Sequence, residues 1–322
     1  MSENSEDAQF HERLQTLLLY HTSMLSDTAR NVPFRDALES VVNADTQVLD
    51  IGAGSGIWSV WAAKLGAKSV TAVESEDIMI PIIQAHAREN DVAGQIEVIH
   101  GDSRHIELPG KYDVIVSETI GNQAFDEGII ATLTDARERF LADGGLIIPK
   151  RVTLVTAPIH LPIERLPSEV PITVSYLEKL SLNISFEAPD RDLIEVLSQP
   201  LELFSVDFSG PNEASELGNI EGMWDITDLS RANAFVLWAR SELIDGINVD
   251  TWDTKSWSPV ICRFDPFSGG GRLKLLLNAT SDQYHWTVSS PDTHAAPRSY
   301  SSVFAFASLR FNLRSRSSMN DQ

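Results

Sequence analysis

Between Gln47 and Ile148 the chain alternates short apolar runs with amphipathic stretches. Strands are expected at Gln47–Ile51, Ser69–Glu74, Ile96–His100, Tyr112–Ser117 and Gly145–Ile148. Helices are expected at Ile57–Leu65, Ile78–Asn90 and Ile129–Phe140. Upstream, Leu14, Leu17, Leu18, Met24 and Leu25 fall at helical spacing, so Phe10 to Leu38 reads as helix. Strands alternating with helices imply a parallel sheet covered on both faces, an α/β doubly wound domain. The ligand of such a sheet sits at the carboxyl ends of its strands, where the strand order reverses.

After Pro149 the texture changes to short strand-like runs separated by Gly, Pro, Asn and Asp: Val152–Ala157, Leu201–Phe208, Ala234–Ile244, Val260–Phe264, Leu273–Ala279 and Tyr284–Val288. This predicts an all-β domain, a barrel or a sandwich. Residues 164–197 interrupt it with mixed helical character. The expected organisation is an acidic tail (1–9), an α/β domain (10–149), a β domain (150–309) carrying an inserted arm, and a flexible tail (310–322).

Composition narrows the field. Hydrophobic residues make up 43% and charged residues 22% of the 322, as in a soluble globular protein. The 46 acidic residues against 25 basic ones give a formal charge of −21. Phosphate-neutralising cations are scarce, which argues against nucleic acid or an anionic membrane as partner; the acidic surface suits a cationic partner or, the more common reason for surface acid, simply solubility. Cys262 stands alone, so no disulfide framework or cysteine zinc cage is expected. No apolar run approaches the roughly 18 residues that span a bilayer, and the acidic opening MSENSEDAQF does not read as a signal peptide. A cytoplasmic protein is the expectation.

The first strand runs into VLDIGAGSG, where Gly52, Gly54 and Gly56 let a ligand approach the backbone. Ile57 breaks the dinucleotide pattern G-x-G-x-x-G. Asp50 and Glu74 end successive strands, where carboxylates suit ribose hydroxyls, and Asp102 and Ser103 follow the third strand. This arrangement points to an adenosine-bearing ligand, and the glycine spacing prefers S-adenosylmethionine to NAD. Arg30, on the upstream helix, could meet the ligand's carboxylate with two donors. After the fourth strand, SETIGNQAFDEG places Glu118 and Glu127 nine positions apart with Gly121 between them to allow a reversal. Two facing carboxylates can share a proton, hold a divalent metal or clamp a planar cation. No histidine lies in the loop to help hold a metal, and a guanidinium matches carboxylates on two edges.

In order along the chain, His21–Arg30 (His-x-x-Met-Leu-x-Asp-x-x-Arg), VLDIGAGSG, AVES, SETIGNQAFDEG and RERFLADGGLIIPKRVTL resemble the motifs of protein arginine methyltransferases. The match is close over residues 20–160 and weaker to about 290. The resemblance implies a Rossmann-like methyltransferase domain, then a β-barrel with an inserted helical dimerisation arm, and a homodimer formed through residues 164–197. It implies that His21 and Arg30 bind the methionine part of S-adenosylmethionine, that Asp50, Gly52 and Gly54 line it, that Glu74 holds the ribose, and that Asp102 and Ser103 lie near the adenine. Glu118 and Glu127 would clamp the substrate guanidinium, and Trp257 in KSWSPV would cover it, with no metal.

Three departures stand out. Arg104 replaces an acid near the adenine. Ser256 replaces the usual histidine before the tryptophan, as in the branch that makes symmetric dimethylarginine. FHERLQTLLLY lacks the family's tyrosines. The expected substrate is an arginine-containing protein or peptide, with free arginine or another guanidino compound as the alternative. A catalytically silent scaffold and a nicotinamide oxidoreductase are the readings from other classes. Trp286, in QYHW, reads as a core strand residue.

Overall fold

A computed structural model describes residues 3–162, 179–188, 191–210, 218–279 and 284–302. Residues 164–178 and 189–190 of the foreseen arm, and the tail beyond 309, lie outside them. The N-terminal segment is two helices, α1 (Glu3–Ser26) and α2 (Thr28–Val41), broken at Asp27. Asp27 caps α2, its carboxylate accepting the Arg30 N–H at 3.4 Å. The helix reaches back to Glu3, so residues 3–9 are its first turns and not a tail. On α2 the buried residues Arg30, Phe34, Ala37 and Leu38 recur at the spacing of one helical face.

Five parallel strands follow: β1 (Gln47–Ile51), β2 (Ser69–Glu74), β3 (Ile96–His100), β4 (Tyr112–Val116) and β5 (Leu141–Ile148). They stand in the order β3-β2-β1-β4-β5, interleaved with α3 (Ile57–Lys64), α4 (Met79–Glu89) and α5 (Ile129–Phe140). The order reverses between β1 and β4, so the crevice expected of a doubly wound sheet opens there. β5 starts four residues ahead of the expected Gly145, with a register irregularity against β4.

The second domain consists of two antiparallel sheets. One runs β10 (Gly218–Ile226), β14 (Gly271–Ala279), β15 (Tyr284–Ser289), β16 (Arg298–Ser301). The other runs β7 (Ser185–Glu187), β13 (Val260–Arg263), β11 (Ala234–Ile244), β6 (Arg151–His160), β8 (Glu195–Val196), with β12 (Ile247–Asp250) on β11 and β9 (Leu201–Asp207) on β6. No ladder joins the two sheets among the described residues; they share a core instead. Trp224 meets Phe235 at 5.2 Å between ring centroids, Phe235 meets Phe264 at 5.0 Å, and Trp286 is fully buried on β15. β6 and the first half of β11 are buried on both faces, which is why they read as unbroken apolar runs. Their second face is covered by Phe186, Ile194 and Trp252. No described helix is long and apolar enough to cross a membrane.

Candidate active site

A cavity of about 330 Å³ opens at the carboxyl ends of β1, β2 and β4, under α1. A larger one, about 550 Å³, lies on the outer face of the β6–β11 sheet. Its arginines are already paired, Arg151 with Asp207 and Arg240 with Asp250, each at 2.7 Å. The smaller cavity therefore carries the unspent chemistry.

One wall of the cleft is the glycine turn. Gly52 and Gly54 have φ of +72° and +56°, and an added Cβ would stand 2.8 Å from Thr119 Cγ2 and from His21 Cε1 respectively. The turn thus requires glycine for both conformation and space. The Gly54 N–H donates to Glu74 Oε2 and the Glu76 N–H to Glu74 Oε1, each at 2.7 Å, so Glu74 organises the turn while lining the cleft. His21 closes the cleft from α1, and burial lowers its pKa. Trp58, 4% exposed, lines the cleft with an unpartnered indole N–H.

Asp50, in contrast, is fully buried beneath the turn and does not line the cleft. Its Oδ2 accepts the Ser59 hydroxyl at 2.6 Å, while Oδ1 has no partner. Burial pushes its carboxyl up to about 7, against the Ser59 hydrogen bonds and with help from the charge of Glu74. Asp102 and Ser103 also stay outside the cleft lining. Arg104 grips the Asp102 carboxylate through Nε at 3.0 Å and through its terminal nitrogen at 2.6 Å. That grip holds the Asp102 carboxyl down at about 2. Ser103 is buried, and its carbonyl accepts from Arg139 at 3.1 Å. β3 is the edge of the sheet, two strands from β1, which sets this turn apart from the switch point.

The opposite wall is the loop after β4. An isolated bridge between Gly121 and Ala124 reverses the chain, and a Cβ on Gly121 would collide with the Asp126 carboxylate. The reversal brings Glu118 and Glu127 to one cleft. Glu127 is pushed up to about 7, first by desolvation and then by the charge of Asp126, with Arg30 opposing. Glu127 is nonetheless exposed, and solvent screening tempers the shift.

Glu118 is held by Arg30: the two form an ion pair with side-chain exposures of 6% and 4%. Both residues expected to meet ligands thus meet each other. Arg30 also donates to Asn31 Oδ1 at 2.7 Å, while its Nε is unpartnered. The Arg30 guanidinium lies 5.3 Å from the Trp257 ring centroid and 6.0 Å from that of Trp58. Burial lowers its pKa to about 10, leaving it a cation at neutral pH. Trp257 is buried; it stands over Arg30 and is not itself in the cleft lining.

The sequence reading gave Asp27 no role, yet it joins the two domains. Its Oδ2 accepts the N–H groups of Lys255 and Ser256 at 2.7 Å each and the Ser256 hydroxyl at 2.8 Å. Burial pushes its carboxyl up, but these bonds outweigh that and leave it low. Trp257 Nε1 donates to the Ile120 carbonyl at 2.5 Å, and the Ser258 N–H to Asn122 Oδ1 at 2.8 Å. A polar residue between two helical stretches signals a cap; nothing local signals a partner more than two hundred residues away.

The model of the ribosomal protein L11 methyltransferase (PrmA) family matches residues 35–150. A probable protein arginine N-methyltransferase 6.1 of Oryza sativa subsp. indica is 31% identical over 283 residues, covering 83% of this chain and 74% of that protein. A probable protein arginine N-methyltransferase 6 of Arabidopsis thaliana is 30% identical over 232 residues, 68% of this chain and 53% of that one, so this chain spans about half of that relative. Among solved structures, the Trypanosoma brucei PRMT1 enzyme–prozyme heterotetramer with AdoHcy superposes at a TM-score of 0.75, with 21% identity, over 87% of this chain and 97% of that one. Arabidopsis thaliana protein arginine methyltransferase 10 superposes at 0.71, with 19% identity, over 89% and 99%. These two show the fold, and the sequence relatives show the lineage: the chain belongs to the protein arginine N-methyltransferases.

Proposed function

We propose that this protein transfers a methyl group from S-adenosylmethionine to a guanidinium nitrogen of arginine in a protein or peptide. The observation that carries the reading is the convergence of Glu118 and Glu127 on the cleft that the glycine turn lines. The donor set suits the cofactor. Gly52 and Gly54 leave room that a Cβ would fill, and Arg30 and Trp58 hold unpartnered buried N–H groups beside the cleft. Arg30 and His21 would hold the methionine part and Glu74 the ribose. Asp50 would support the turn from below through Ser59. Asp102 and Ser103 would act at the adenine end only through the backbone of their turn, since Arg104 takes the Asp102 carboxylate. S-adenosylmethionine supplies an electrophilic methyl on a sulfonium.

The chain's own part is to bind, orient and accept a proton. Glu118 and Glu127 grip the guanidinium on two edges and leave one nitrogen free to attack in line. Arg30, balanced between Glu118 and the cofactor's carboxylate, ties filling of one site to readiness of the other. Trp257 stacks on Arg30 and through it braces Glu118. Glu127 Oε takes the proton that leaves the methylated nitrogen, a task matched by a carboxyl that titrates near neutrality.

The finer reading includes a homodimer in the cytoplasm. Phe10, Leu18 and Leu25, spaced along one face of α1 and each more than 40% exposed, support a partner surface. A single, buried cysteine supports a reducing compartment. The deciding experiment offers labelled S-adenosylmethionine with arginine-containing peptides and with free arginine in parallel. Label in the peptide guanidinium is expected. Label in free arginine alone moves the substrate to a small molecule, and cofactor binding without transfer to either leaves a silent scaffold.

A further inference from the structure

Arg191 stands on a short 3-10 turn, Arg191–Leu193, where the segment inserted between β6 and β9 returns to the sheet. Its guanidinium is committed to backbone: one terminal nitrogen donates to the carbonyls of Trp252 and Thr254, the other to that of Trp257. These three oxygens flank Lys255 and Ser256, whose N–H groups go the other way, to Asp27. The 252–257 loop is therefore held on its carbonyl side by a cation and on its amide side by an anion. A lysine could not do the same, because diverging carbonyls need the rigid fork of a guanidinium. The same insertion braces the neighbourhood twice more. The Ala188 N–H donates to the Pro259 carbonyl at 2.8 Å, and Glu187 accepts from Asn122, on the glutamate loop, at 3.1 Å.

We propose that Arg191 is a positioning residue for the reaction, acting through the 252–257 loop to hold Trp257 over Arg30 and against the glutamate loop at Ile120. This rests on the methyl-transfer reading for its effect on turnover, but not for its effect on the loop. Arg191 lies outside the cleft lining and reaches the cofactor side only indirectly, through Trp257 and Arg30, so its loss weakens the substrate side far more than the cofactor side. A displacement of about 1 Å in a wall that positions substrate can lower turnover by about 100-fold.

The test compares Arg191→Met and Arg191→Lys with the wild type, using Trp257→Phe to assign the Trp257 indole proton by NMR. In Arg191→Met, that indole proton is expected to exchange with water at least about tenfold faster, the equivalent of losing one charge-assisted hydrogen bond of about 1.4 kcal/mol. The peptide KM is expected to rise at least about tenfold, while S-adenosylmethionine affinity by calorimetry stays within about twofold. Arg191→Lys keeps the charge and is expected to recover only part of either effect. Unchanged indole exchange and KM would overturn the assignment, as would a parallel loss of cofactor affinity, which marks a purely structural role. Where the wild type binds cofactor but methylates no peptide, the methyl-transfer reading fails and the indole exchange still decides the role of Arg191.

Discussion

The two walls of the cleft are built in different ways. The glycine turn on the cofactor side is local. Gly52, Gly54 and Glu74 lie within one strand–turn–helix–strand unit, and the bond from the Gly54 N–H to Glu74 closes over 20 residues. The substrate side is assembled from afar: Trp257 reaches Ile120 across 137 positions, Ser256 reaches Asp27 across 229, and Arg191 reaches Trp257 across 66. A wall made by backbone geometry fails when a side chain is added. A wall made by long-range polar contacts fails when one is removed.

That contrast orders the predictions. The largest effect belongs to Glu127→Gln, which is expected to lower turnover at least about 100-fold, the low end for a positioned acid–base group, with cofactor binding retained. In the wild type the raised Glu127 carboxyl gains its proton between about 7 and the ordinary carboxylate range as pH falls, so peptide kcat/KM is expected to drop across that window. That acidic limb disappears from the residual activity of Glu127→Gln; a limb that survives assigns the proton elsewhere. Asp27→Asn comes next. It exchanges a charged acceptor of three loop bonds for a neutral one, and a lower melting temperature worth about 1.5–3 kcal/mol is expected together with a raised peptide KM. Equal loss of cofactor affinity and peptide affinity would erase the distinction between the walls.

Gly54→Ala probes the other wall. With φ of +56° and His21 Cε1 2.8 Å from the new Cβ, it is expected to cost about 1–2 kcal/mol in stability. Titration is expected to show weaker S-adenosylmethionine binding, with little change in peptide KM at saturating cofactor. The smallest effect is Asp50→Asn. The buried Asp50 carboxyl is raised, so the folded state favours its protonated form and loses stability as pH rises from about 4 to about 7. Asparagine removes that dependence, and melting curves across this window are expected to be flatter than those of the wild type.

The same contrast explains what could be read along the chain. All five parallel strands were legible because buried strands between amphipathic helices carry a periodicity that needs no knowledge of the rest. β10 is not legible although Ile220, Trp224 and Ile226 alternate inward with outward residues, because Gly218 and Gly222 dilute the apolar signal. The glutamate pair was legible because both acids sit on one short loop with Gly121 between them. The role of Asp102 was not, because a free acid and one spent on Arg104 look identical in sequence, and the pairing of Arg30 with Glu118 was hidden for the same reason.

By itself, the sequence determined the alternation that makes the sheet, the glycine turn and the presence of two acids in one loop, since each depends on residues near one another in the chain. Tertiary structure alone decided which charges neutralise one another and which stay free for ligands. Arg30 met Glu118, Arg104 met Asp102, and Asp27 and Arg191 took opposite sides of the Trp257 loop. Hydrogen bonds and ion pairs act over a few ångströms of space whatever the separation along the chain, and only the packed domains set those distances.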